Sequence, residues 1–111
     1  MSETSTVSWA ETVKGKPALG ARARRSRRTR ESDIALFSEM TGDFNPLHYD
    51  RALAEASIFQ KLIVQGGVTS GLLNAIVAED LPGPGTVFLE VNWRFLKADG
   101  VDEMITAEVE V

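Results

Sequence analysis

Cysteine is absent from the 111 residues, and histidine occurs once. The first absence removes disulfides, thiolate metal sites and a cysteine nucleophile together. The second leaves a zinc or iron centre short of the several imidazole or thiolate ligands such centres usually take, so no metal is expected. No apolar run approaches the ~20 residues needed to span a bilayer. The opening "MSETSTVSWAETVKGK" also lacks the charged-then-apolar pattern of a secretory signal, so a cytoplasmic chain with no membrane partner is expected. There is no Gly-x-Gly-x-x-Gly or P-loop pattern, and no Gly-x-Ser-x-Gly elbow to present a serine nucleophile. An excess of positive charge is missing as well: the net charge of −4 argues against a general affinity for nucleic acid.

What is present suffices for one small domain and not for two. With 43% hydrophobic and 25% charged residues, the chain has the balance of an ordinary soluble domain. Residues 1–20 are polar and irregular, with Trp9 their one aromatic side chain. "ARARRSRRTR" comes next, six arginines within residues 21–30. This run could form a phosphate-binding patch, or a solvated edge strand or arm whose charges discourage stray strand pairing. Nothing aromatic interleaves it and the rest of the chain is acidic, which favours the edge strand or arm.

"TRESDIALFSEMTG" predicts a short helix capped by Thr29 or Ser32, with Ile34, Phe37 and Met40 on its apolar stripe and Gly42 as its end. "DFNPLHYD" cannot continue it, because Pro46 lacks an N–H and biases Asn45 away from helical geometry. Asp43 and His48 therefore fall on a structured turn. "DRALAEAS" predicts a second short helix. "GGVTSGLLNAIVAEDL" predicts a third, apolar on nearly all sides and so expected to be buried, whose Gly66-Gly67 start leaves unpaired, electropositive amides. "LPGPG" turns the chain. "TVFLEVNWRFLK" and "MITAEVEV" then alternate apolar and polar residues as two strands. One pair of strands cannot cover so apolar a helix, so a further sheet element is expected.

In order, "FSEMTGDFNPLHYD", "FQKLIVQGGVTSGLL", "LPGPGTVFLEVNWRFLK" and "ITAEVEV" resemble the MaoC-like family of hot-dog-fold (R)-specific enoyl-CoA hydratases, from about Thr29 to Val111. The resemblance implies an α+β fold in which a long central helix is wrapped by an antiparallel sheet. Family members commonly continue for about two strands beyond "ITAEVEV", so the implied sheet lacks its last strands. The implied organisation is a polar segment over residues 1–20 and a hot-dog domain over 21–111.

The resemblance also assigns roles. Asp43 and His48 become the hydration dyad, and the amide of Gly66 becomes the oxyanion donor. It implies an acyl-CoA thioester as substrate, no metal or redox cofactor, and a homodimer or higher homo-oligomer. Asn45 is expected to hold the turn that aims the dyad. Departures from the family are Gln65-Gly66-Gly67 in place of "HGM", and Asn74 where some relatives place a serine against the catalytic aspartate.

Such residues suit hydration. An N–H at a helix N-terminus can stabilise an enolate oxygen, while a carboxylate and an imidazole converging on one water can move its protons. Taken alone, Asp43 would read as a turn-capping carboxylate and His48 as a histidine bonded to a nearby carbonyl. Gly66 reads equally as a plain glycine at a helix start. Two rival functions stand beside the hydratase: a hot-dog acyl-CoA thioesterase, and a catalytically impaired acyl-CoA-binding or dimer-partner subunit.

Overall fold

The computed structural model describes residues 8–111; residues 1–7 of the polar N-terminal segment lie outside the described residues. The arginine run forms a strand, β1 (Arg22–Arg28), antiparallel to β2 (Met104–Glu110) in a two-stranded sheet. Strand alternation sorts the arginines by face. On one face Arg22 meets Glu110 at 3.1 Å, Arg24 meets Glu108 at 3.8 Å, Ser26 hydrogen-bonds Thr106 at 2.8 Å and Arg28 meets Asp102 at 3.6 Å. On the other, Ala23, Arg25 and Arg27 stand opposite Val109, Ala107 and Ile105. The five arginines within β1 thus each meet an acid of the same chain.

Three helices come after it: α1 (Glu31–Thr41), α2 (Arg51–Ala56) and α3 (Gly66–Glu79), with a one-turn 3-10 helix at Pro46–His48 between the first two. The start of α1 corrects the expected caps. Its N-cap is Arg30, whose backbone N–H donates to the Asp33 carboxylate at 2.9 Å. Thr29 is instead fully buried, its hydroxyl donating to the Gly100 carbonyl at 2.6 Å, so it staples the turn before β2. Gly42 ends α1 as expected, with a left-handed φ of 81° and its N–H donating to the Ser38 carbonyl at 2.7 Å. Asp50 caps α2 by accepting from the Leu53 N–H at 3.1 Å.

The core gathers Ile34 of α1, Ala54 of α2 and the extended residues Leu62 and Val64, with Val68 and Val101 packed beside them. Burying each of the larger aliphatic side chains stabilises the fold by about 1.5–3 kcal/mol. The inward Ile105, Ala107 and Val109 of β2 lie toward α3, in the predicted alternation. The helix is nonetheless buried less than its composition predicts: Ile76 alone is fully buried, since the sheet flanks only one side.

The other expected strand, residues 86–97, forms no strand and is unpaired among the described residues, and β2 pairs with β1 instead. Among the described residues the sheet holds no strand positioned to complete its hydrogen-bond ladder. Val87, Leu89, Trp93, Phe95 and Leu96 are consequently exposed. A radius of gyration of 16.9 Å, against ~13 Å for a compact chain of this length, reflects the same open arrangement.

Arg25 reaches the far end of α3, where Nε donates to Asp80 at 2.7 Å and a terminal nitrogen donates to the other carboxylate oxygen at 3.1 Å. Its hydrogen bonds hold the Asp80 carboxyl below its usual range. Lys61 and the Gly100 N–H do the same for Glu103. A carboxyl whose folded value is depressed adds stability that is complete above its unfolded value and lost as pH falls through the folded one. The thermal midpoint, followed by circular dichroism, is therefore expected to fall as pH drops below the reference values of 4.5 and 3.8. Asp80→Asn should flatten that decline.

Candidate active site

Pro46 sets the geometry of the signature turn. It occupies the first turn of the 3-10 helix, where a missing N–H costs nothing, and Asn45 caps that turn by accepting from the Leu47 N–H at 3.0 Å. Asp43 in turn accepts from the Asn45 N–H at 3.2 Å, leaving its other oxygen, Oδ2, free to face His48. Asn45 is thus a turn-forming residue.

His48 is buried, and its Nδ1 lies 2.8 Å from the Ile63 carbonyl. A carbonyl can only accept, so Nδ1 carries the proton and the lone pair of the neutral ring sits on Nε2. That bond exists because residues 62–64 run as a strand. The Leu62 carbonyl and the Val64 N–H both turn toward residues 99–101, at 3.1 and 2.9 Å, so the carbonyl of Ile63 turns the opposite way. Nε2 stands 4.0 Å from Asp43 Oδ2. Two acceptors at that spacing can each reach one water at an ordinary ~2.8 Å. The bland expectations for both residues hold together with the pairing: His48 is bonded to a carbonyl and Asp43 caps a turn, and each bond aims the remaining atom.

Gly66 is the first residue of α3, and its N–H has no acceptor among the described residues. It lines a cleft of about 250 Å³ together with His48, Thr69, Phe95 and Lys97. Asp43 is not part of that lining, so the three groups meet at His48: Asp43 on one side of the ring, the cleft with Gly66 on another. Asn74 is exposed on α3 and hydrogen-bonds to neither Asp43 nor His48, so the structure does not bring it into the site. No group of three or more His, Cys, Asp or Glu side chains among the described residues is arranged to hold a metal ion.

Gln65 and Gly67, the departures flanking Gly66, both have structural reasons. Gln65 is buried, and its Nε2 donates to the Ile34 carbonyl at 3.2 Å and to Ser38 Oγ at 3.1 Å. The Ile34 carbonyl fixes which end of the amide faces α1. Gln65 Oε1 is left buried without a partner among the described residues. At Gly67, an added Cβ would lie 2.2 Å from the Phe37 ring, so that ring occupies the space a side chain would take.

Sequence reasoning missed Ser38, Tyr49, Ile63 and Phe95. Ser38 had a signal, being a polar residue four positions after Ile34 on the buried stripe of α1. Ile63 acts through its backbone and had none.

Gly67→Ala is expected to cost about 1–3 kcal/mol in urea unfolding, the usual penalty of overpacking. Phe37→Leu in the same chain should recover part of that loss.

Comparison with known proteins identifies the family. The MaoC like domain matches residues 12–111. The (R)-specific enoyl-CoA hydratase of Aeromonas caviae is 37% identical over 93 residues, covering 84% of this chain and 69% of that protein. The (R)-specific enoyl-CoA hydratase of Rhodospirillum rubrum is 32% identical over 81 residues, covering 73% of this chain and 56% of its own length. The chain thus spans only a little over half of the second relative. Among solved structures, the (R)-hydratase from A. caviae involved in PHA biosynthesis superposes with a TM-score of 0.80 at 35% identity, covering 85% of this chain and 71% of that one. An R-hydratase from Pseudomonas aeruginosa in unliganded form gives 0.78 at 34%, covering 86% and 61%. A central helix beside an antiparallel pair, the signature turn and the matched span coincide, and the chain belongs to the MaoC-like domain family of hot-dog proteins.

Proposed function

We propose that this chain carries the active site of an (R)-specific enoyl-CoA hydratase, adding water reversibly to a trans-2-enoyl-CoA to give the (R)-3-hydroxyacyl-CoA. The observation that carries it is the pairing of His48 Nε2, its lone pair fixed by the Ile63 carbonyl, with Asp43 Oδ2 at 4.0 Å. The names of the relatives support the substrate class and the R configuration.

In this reaction one water lies between Asp43 and His48. Asp43 accepts one of its hydrogens and orients it, while Nε2 takes the other proton as the oxygen bonds to the β-carbon. The π electrons move onto the thioester carbonyl oxygen, which accepts the Gly66 N–H at the positive end of α3. The protonated Nε2 then delivers its proton to the α-carbon, and the net change is addition of one water. Every proton is handled by the chain's own groups, so no cofactor is called for. The working form is a homo-oligomer, which would cover the apolar side chains exposed along residues 87–96.

Purified protein should bleach the enoyl absorbance of crotonyl-CoA and yield the R product by chiral analysis. Asp43→Asn and His48→Gln should each lower kcat by about 10²–10⁴-fold, the usual contribution of a positioned acid or base. Release of free thiol without loss of the double bond would instead indicate a thioesterase. Acyl-CoA binding by calorimetry without turnover would indicate an impaired binding subunit.

A further inference from the structure

Ser38 lies near the end of α1, 1% exposed, and no step of the proposed chemistry uses it. Its hydroxyl is nevertheless saturated. Oγ donates to the backbone carbonyl of Asp43 at 2.6 Å, and it accepts from Gln65 Nε2 at 3.1 Å and from the Tyr49 hydroxyl. A serine hydroxyl has one proton and two lone pairs, and all three are engaged.

The identity of the partners gives these bonds meaning. Asp43 is itself a member of the dyad. Tyr49 directly follows His48, and Gln65 directly precedes Gly66. One oxygen thus connects to the three functional positions, at most one residue removed from each. The surroundings make the node stiff: Ser38 stands in the last turn of α1, whose carbonyl at the same residue accepts the Gly42 N–H at 2.7 Å. The Tyr49 ring stacks on Phe44 with centroids 5.9 Å apart, and Phe44 directly follows Asp43. Gln65 is anchored a second time at the Ile34 carbonyl.

The geometry points to Ser38 as a positioning residue. Its hydroxyl, with Tyr49 and Gln65, sets the spacing between the Asp43 carboxylate, the His48 ring and the Gly66 amide. Gln65, the departure from the family's pattern, supplies one of its three bonds. Burial in a medium of low polarity strengthens such a network and makes removal of its central atom costly to all three partners. In its catalytic consequence this inference rests on the hydratase reading; in its structural consequence it does not.

The single histidine makes both consequences measurable, because the imidazole nitrogen-15 signals of the protein come from His48 alone. Ser38→Ala is expected to lower kcat on crotonyl-CoA by about 10–100-fold, in keeping with the cost of misplacing a catalytic group by an ångström, with KM changed less than twofold. Ser38→Thr, which keeps the hydroxyl, should regain part of that loss. Tyr49→Phe should lower kcat less, and its effect should not add to that of Ser38→Ala. Independently of turnover, Asp43→Asn should displace the His48 Nε2 resonance in the otherwise wild-type protein and displace it far less in the Ser38→Ala and Tyr49→Phe backgrounds.

A folded Ser38→Ala protein with unchanged kcat overturns the inference, as does an Asp43→Asn displacement that is absent in wild type or equal in all backgrounds. If Ser38→Ala does not fold, the Tyr49→Phe background decides by the same resonance. Loss of the resonance coupling without any hydration in wild type would retain Ser38 as the positioning node and reject the hydratase reading.

Discussion

The site depends on the hydrogen bond between His48 Nδ1 and the Ile63 carbonyl. It fixes the tautomer and orientation of the ring, and it joins the signature turn to the extended segment that leads directly into α3. Because Ile63 stands three residues before Gly66, the same stretch of backbone holds the imidazole and leads into the first amide of α3. Burial protects that bond from competition with water, and the pairing of residues 62–64 with 99–101 keeps the carbonyl turned outward toward the ring. A backbone acceptor is also less easily moved than a side chain, so the imidazole has little rotational freedom.

Much of this was legible in the sequence because the residues concerned act through their own side chains or local turn chemistry. Pro46 forces the end of helical geometry, Asn45 caps the single helical turn after it, and Gly42 adopts the positive φ that a helix end requires; each is a local rule, and each holds. Helix α3 forms where its apolar run predicts one, and strand β2 follows its alternation. The arginine run also meets the local expectation of a charged strand.

Other features depended on what lies across the fold. Residues 86–97 have the alternation of a strand, but a strand needs a neighbour, and periodicity does not say whether one is present. Thr29 has the character of a helix cap, yet the turn at residues 100–103 competes for its hydroxyl and wins, since burial makes an unpaired hydroxyl costly. The tautomer of His48 is set by a main-chain carbonyl with no sequence signature. Gly67 appeared as a missing side chain, whereas the space is filled by Phe37 from another helix.

The clamp of Arg25 on Asp80 acts at a distance. Its grip is on the C-terminal end of α3, while the Gly66 amide is at the N-terminal end, 14 residues or about 21 Å away along the axis. A rod held at its far end transmits angle as displacement: a tilt of a few degrees at the clamp moves the opposite tip by about an ångström. The charged strand pair, remote from Gly66, therefore holds the far end of the lever on which that amide sits.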